Sequence, residues 1–182
     1  MSVIIRIDEY WFSKIRRYLL QSCLEQVCFL FSKDTVEGAI LIMEVMDYYL
    51  VAPSEYEYQS SFHVEIKDCC QAKVIKSAWD KKLSLGEIHS HPISKKASFS
   101  QSDISGFREF VPHVWWRLKK GPYFAVVLSQ SEIDALAWVK TSAVCEPVDK
   151  IEFGSSVMYP SNTTIKQLKE MKWKKTFSAG NF

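Results

Sequence analysis

The sequence predicts a mixed α/β domain of the α+β type, in which a central, curved, mostly antiparallel sheet is flanked by helices. Three observations carry this expectation. Short runs of bulky apolar residues recur between polar turns, at strand length. Two longer stretches, residues 10–24 and 68–82, place their apolar residues at helical spacing instead. The chain has 182 residues, 47% hydrophobic and 24% charged. That is the composition of one globular domain, long enough to bury roughly 70% of its unfolded surface.

Taken in order, residues 10–24 read as a helix. Trp11, Ile15, Tyr18 and Leu19 form its apolar stripe, and Lys14, Arg16 and Arg17 its wet face. Residues 26–31 are short and bulky, a buried strand, and 32–35 form a polar turn. Residues 39–51 read as a long strand, 53–61 as a polar loop, and 62–67 as a short alternating strand. The helix over 68–82 runs through Ala72, Ile75 and Trp79. A strand follows at 84–90, then a loop of Ser, Lys and Pro at 92–99. Ser100 opens a helix as its N-cap, with Asp103 at the capping-box position. Pro112 is expected to end that helix or open another turn. Strands at 123–129 and 135–141 are joined by residues 130–134. The organisation expected is a domain over 1–150 and a basic extension over 151–182, packed on that domain or docking from it. In the extension Lys166, Lys169, Lys172, Lys174 and Lys175 surround Ile165, Leu168 and Trp173. It reads as an amphipathic helix with a solvated face, or as a docking surface for an acidic partner.

The net charge of +2 gives no reason to expect nucleic acid or an anionic membrane as a partner. The five cysteines, Cys23, Cys28, Cys69, Cys70 and Cys145, are odd in number and irregular in spacing. They read as reduced thiols in a cytoplasmic protein. Arg6, Asp8 and Glu9 interrupt the N-terminus before an apolar signal core can form. No stretch reaches the roughly 18 apolar residues of a membrane span.

The segment 86–92, Gly-Glu-Ile-His-Ser-His-Pro, carries the chemistry. On a strand, alternate side chains share a face. His89 and His91 then point the same way with Glu87 beside them, spaced to chelate one metal ion. Zinc is the leading candidate, because it takes neutral imidazole together with carboxylate. Asp103, in the first turn of the helix after the loop, is the natural third ligand. The chain has four histidines. The other two, His63 and His113, have no such company.

His89-Ser-His-Pro92 followed by Ser100-Gln-Ser-Asp103 resembles the JAMM motif of the JAB/MPN+ zinc metalloproteases. The serine here stands one residue further from the second histidine than is usual in that family. The resemblance implies an MPN/JAB, cytidine-deaminase-like architecture over roughly residues 11–139, and zinc held by His89, His91 and Asp103. It also implies an upstream glutamate as general base. Glu25, before the strand at 26–31, occupies that place, with Cys28-Phe29 where the family has a small pair. Glu37, before Gly38 and a long strand, is the competing position. Ser100 would donate a hydrogen bond to the tetrahedral oxyanion, and Glu87 would orient a ligand imidazole.

The reaction implied is hydrolysis of isopeptide or peptide bonds at the C-terminus of ubiquitin or a ubiquitin-like protein. The exposed tail of such a substrate would be held by strand addition, with help from Trp115 and Trp116 if they are exposed. Compact members with this arrangement, and with a tryptophan such as Trp138 in a late strand, are bacterial deubiquitinase-like forms. Those are often found beside E1-like and E2-like proteins, antiphage defence being one setting. Two other readings stand beside this one: a non-catalytic MPN-type scaffold with a structural zinc, and a zinc hydrolase of another small amide or of a sulfur-carrier protein.

Overall fold

A computed structural model describes residues 1–119 and 121–178, with side chains through residue 171. The chain runs β1 (Ser2–Ile7), α1 (Glu9–Leu20), β2 (Val27–Glu37), β3 (Ile40–Leu50), a 3-10 turn (Pro53–Glu55), β4 (Tyr56–Gln59) and β5 (Val64–Ile66). It continues α2 (Asp68–Lys81), β6 (Ser84–Ser90), α3 (Gln101–Arg117), β7 (Tyr123–Leu128), β8 (Ile133–Thr141), β9 (Val144–Pro147), β10 (Lys150–Phe153), β11 (Ser156–Met158) and α4 (Thr163–Ser178). The fold is mixed α/β. Among the described residues nine strands form one sheet in the order β11-β10-β1-β3-β2-β6-β7-β8-β9, while β4 and β5 make a separate hairpin. Three pairings, β1 with β3, β1 with β10 and β6 with β7, are parallel, and the rest of the large sheet is antiparallel.

Alternation along the central strands builds two cores. Val27, Phe29 and Phe31 of β2, with Leu85 of β6 and Tyr123 of β7, face a layer made by α2, α3 and the start of α4. Cys28 and Leu30, with Ile88 and Phe124, face α1 through Phe12, Ile15 and Leu19. His89 shares its face with Leu85, so the strand's own periodicity aims it into the α2/α3 layer.

Several expectations are corrected. The run Ser2–Ile7, which carried no expectation, is a buried strand between β3 and β10. The polar stretch 32–35 is not a turn, for β2 continues to Glu37 and the chain reverses at Gly38, which has φ +61°. Its polar side chains satisfy one another: Ser32 donates to Asp34 Oδ1 at 3.1 Å, and Ser84 on β6 donates to Asp34 Oδ2. The loop expected at 53–61 contains β4. Pro112 lies inside α3 rather than ending it. Ile104, Phe107, Val111, Val114 and Trp115 bury one stripe on both sides of it, and that packing offsets the lost backbone hydrogen bond. Trp79 is not on the buried stripe of α2, which consists of Cys70, Val74, Ile75 and Ala78.

Position 150 falls inside β10, whose pairing with β1 makes 150–153 part of the central sheet. In α4, Ile165 is buried and Leu168 packs on the core, whereas Lys166 and Lys169 are exposed. The side chains of Lys172, Trp173, Lys174 and Lys175 lie outside the described residues. Among the described residues Cys23, Cys28, Cys69 and Cys70 are free thiols, and no helix is long and apolar enough to cross a membrane.

Burial pushes the Asp34 carboxyl up to about 6, against the pull of the Ser84 and Ser32 hydroxyls. An acid with a raised folded pKa contributes stability below its unfolded value and loses it as pH rises through the folded one. Asp34→Asn is therefore expected to stabilise the chain by about 2 kcal/mol at pH 8 and by much less at pH 4. Thermal unfolding at the two pH values checks this. An equal gain at both would mean that the carboxylate charge is not the cause.

Candidate metal centre

β2 and β6 run antiparallel with Val27 opposite His89, so the chain entering β2 brings Glu25 opposite His91. Backbone bonds hold this end of the pair. Ser90 N–H donates to Gln26 O at 3.0 Å, Gln26 N–H donates to Ser90 Oγ at 3.1 Å, and His91 N–H reaches Leu128 O on β7 at 2.8 Å. The β4–β5 hairpin side grips Glu25 itself, whose N–H donates to Ser60 O and whose carbonyl accepts from Gln59, both at 2.8 Å.

The third element is the N-terminus of α3. Ser100 caps it: its Oγ accepts from Asp103 N–H at 3.1 Å, and its own N–H donates to Asp103 Oδ2 at 2.6 Å. This capping box turns the Asp103 carboxylate back toward the histidines. The preceding loop is pinned from behind, since Phe99 N–H donates to Thr164 Oγ1 at 2.9 Å and that hydroxyl donates to the buried Asp134 at 2.7 Å. Phe99 then sets its ring edge-on to His89, centroids 5.5 Å apart. The start of α4 thus holds the loop that delivers Asp103, a long-range dependence with no local sequence signature.

Three ligand atoms converge. Asp103 Oδ2 lies 3.6 Å from His89 Nε2 and 3.5 Å from His91 Nε2, and one donor atom from each residue falls within 4.8 Å of the others. Glu25 Oε1 approaches His91 Nε2 from the side at 3.5 Å. Glu87 stands on the opposite edge of His89, with Oε1 3.3 Å from Nδ1, while its Oε2 accepts from Tyr123 OH at 2.7 Å. A proton on Nδ1 shared with Glu87 leaves Nε2 as a lone-pair donor. That Nε2 is buried and, among the described residues, has no hydrogen-bond partner. Buried polar atoms are rarely orphaned. Two imidazoles and a carboxylate aimed at one point, one nitrogen unsatisfied, form a donor set that could hold a metal ion.

The electrostatics are those of a cation site. Burial disfavours charge on His89, yet the Asp103 and Glu87 carboxylates outweigh it and raise the imidazole to about 10. Burial also opposes ionisation of Asp103, but the His89 imidazole, with His91 and the cap, holds that carboxyl far below the usual carboxylate range. Glu25 is 4% exposed, and burial raises its carboxyl above the usual range, partly offset by His91.

The structure therefore brings together Glu25, Glu87, His89, His91, Ser100 and Asp103. Glu37 lies apart: it is exposed at the hairpin end of β2, about 33 Å along the strand from the residue opposite His89. His63, given no role by its sequence surroundings, reaches the site. Its Nδ1 is 3.3 Å from Ser102 Oγ and its Nε2 2.8 Å from Glu65, and Ser102 in turn meets Ser100 Oγ at 3.1 Å. His63 and Glu65 alternate across one residue, as His89 and His91 do, and that spacing was the available signal. A groove of about 650 Å³ opens from the centre past His63, Phe110 and His113. Trp115 is buried at 8% exposure and Trp116 is out at 71%.

No family model matches the chain, and no curated protein matches it. Among solved structures, the chain is similar to a solution structure of protein DSY2949 from Desulfitobacterium hafniense. That likeness has a TM-score of 0.50 at 15% identity, over 87% of this chain and 97% of the other. It bears on the fold alone, and agrees with the mixed α/β arrangement described above.

Proposed function

We propose that the chain is a zinc-dependent hydrolase of the JAB/MPN+ type, which cleaves isopeptide or peptide bonds at the C-terminus of a ubiquitin-like protein. The observation that carries this reading is the buried, unsatisfied His89 Nε2 facing His91 and Asp103, with the Glu25 carboxylate beside them. These are the residues that the motif 89–103 and its upstream glutamate would bring together in an MPN/JAB architecture.

His89, His91 and Asp103 would hold the zinc. Bound zinc supplies Lewis acidity, which acidifies water toward a pKa of about 7 and polarises a carbonyl. Glu25 takes a proton from the attacking water and returns it to the leaving amine, and burial favours its protonated form between the two transfers. Ser100 Oγ, which accepts from Asp103 N–H, retains its own proton to donate to the oxyanion. Losing such a donor typically costs about 3–4 kcal/mol of transition-state stabilisation. Glu87 fixes the tautomer and the ring plane of His89. A buried carboxylate next to His91 favours a catalytic site over a structural zinc, for which no base is required.

Metal analysis and one substrate assay test the reading. The chain purified without added metal is expected to carry about one zinc per molecule. It is also expected to release a fluorophore amide from the C-terminus of a ubiquitin-like protein. No zinc uptake, even when zinc is supplied, overturns the hydrolase. Zinc without turnover on any ubiquitin-like conjugate, but with turnover of a small amide or a sulfur-carrier protein, overturns the substrate class.

A further inference from the structure

A second groove, separate from the metal centre, opens on the outer side of α2 and α3. Ile75, Lys76 and Trp79 form one wall, and Trp116, Arg117 and Lys119 the other, around about 620 Å³. Trp116 is 71% exposed and Trp79 48%, whereas Trp115 and Trp138 are almost fully buried. Two large amphipathic rings left in water on facing helices are a costly surface for a chain to keep, and such patches mark binding sites.

The charge lining this groove has one sign. Its charged side chains among the described residues are Lys76, Arg117 and Lys119. The Arg117 guanidinium lies 4.6 Å from the Trp116 ring centre, and Lys119 Nζ lies 5.0 Å from that of Trp79. Asp80, one turn along α2, is taken up by Lys76. The groove at the metal centre has the opposite character, with Glu65, Asp68, Glu87, Asp103 and Glu109 on its lining. His113 borders both, so the two meet end to end, roughly 20 Å apart along α3 from Asp103 to Trp116.

We propose that the Trp79–Trp116 groove docks an acidic protein segment carrying an apolar anchor. The anchor sits on Ile75 between the indoles, and carboxylates on either side of it meet Arg117 and Lys119. Trp and Arg are the residue types that concentrate binding energy at interfaces, and both stand at this one exposed spot. A nucleic-acid strand fits less well. It needs cations along a track, whereas here the cations stand at one spot and the groove runs on into an acidic one. The proposal does not depend on the metal or on hydrolysis.

Panning a displayed random-peptide library on the full chain tests it. The enriched peptides are expected to carry Asp and Glu around a Leu, Phe or Trp. A representative peptide should bind at least about tenfold more weakly to Trp116→Ala and to Arg117→Glu, and more weakly to the parent chain as salt is raised. Both side chains are exposed, and unchanged thermal unfolding shows that each variant is folded. Absence of enrichment, enrichment of neutral or basic peptides, or undiminished binding to both variants overturns the proposal. Oligothymidylate binding that the same two substitutions abolish, without a peptide ligand, overturns it in favour of nucleic acid.

Discussion

Replacing Glu25 by glutamine is expected to cut hydrolysis of a ubiquitin-like amide by about 10²–10⁴-fold while leaving zinc content at the parent level. Glutamine matches the shape of the side chain, and the backbone at this position is held from both sides by Ser60 and Gln59. The substitution therefore removes a proton acceptor and little else. Its carboxylate faces His91 at 3.5 Å but is not among the three donors that converge, so the donor set survives the change. Single-turnover kinetics beside metal analysis by mass spectrometry measure the two properties separately. Full activity in the variant would remove Glu25 as the base. Loss of zinc would make it a ligand and return Asp103 to its capping role alone.

The parts of this centre differ in how far they could be read from the sequence, and the reasons are physical. His89 and His91 were legible because a strand repeats every two residues, so any i, i+2 pair shares a face wherever the strand lies. Ser100 and Asp103 were legible because a capping box is a local structure, closed within four residues. Glu25 was legible only through the motif resemblance. What makes it part of the site is the antiparallel register of β2 on β6, a contact across sixty-odd residues that no spacing encodes. His63 and Ser102 meet across a hairpin and a helix, and nothing local announces that meeting.

In the fold, β1 escaped notice because six residues between polar flanks, one of them Arg6, carry too short a pattern to stand out. Arg6 itself is satisfied by Glu152 on β10, again a distant partner. The stretch 32–35 misleads because polarity usually marks turns, whereas here a buried hydroxyl–carboxyl cluster completes its own hydrogen bonds inside the sheet. Trp79 and Trp116 are apolar residues at plausible core spacing that the packed layers leave outside. Their exposure, invisible in the sequence, is what singles them out.

Asp103→Asn is expected to strip the chain of zinc while the metal-free fold stays intact. Asp103 does two things at once. Its Oδ2 accepts the Ser100 N–H and also faces both histidine Nε2 atoms. Asparagine keeps a carbonyl oxygen to accept the Ser100 N–H, and Ser100, the N-cap itself, is unchanged. What it lacks is the negative charge. Without zinc that charge holds a proton on His89, and removing it lets the buried imidazole become neutral. No unpaired buried ion is left behind, which is the outcome that would otherwise unfold the site. With zinc the same charge is the anionic member of the donor set, and its loss falls entirely on binding.

The parent chain makes the complementary statement through pH. Zinc must displace the His89 proton, so affinity is expected to rise as pH rises from 6 to 8, by up to about tenfold per unit for each proton released. Competition with a chromophoric chelator at several pH values measures this, and differential unfolding with and without zinc measures the variant. Parent-level zinc in Asp103→Asn would exclude the aspartate as a ligand. A metal-free variant that fails to fold would mean that the cap, not the charge, is what Asp103 contributes.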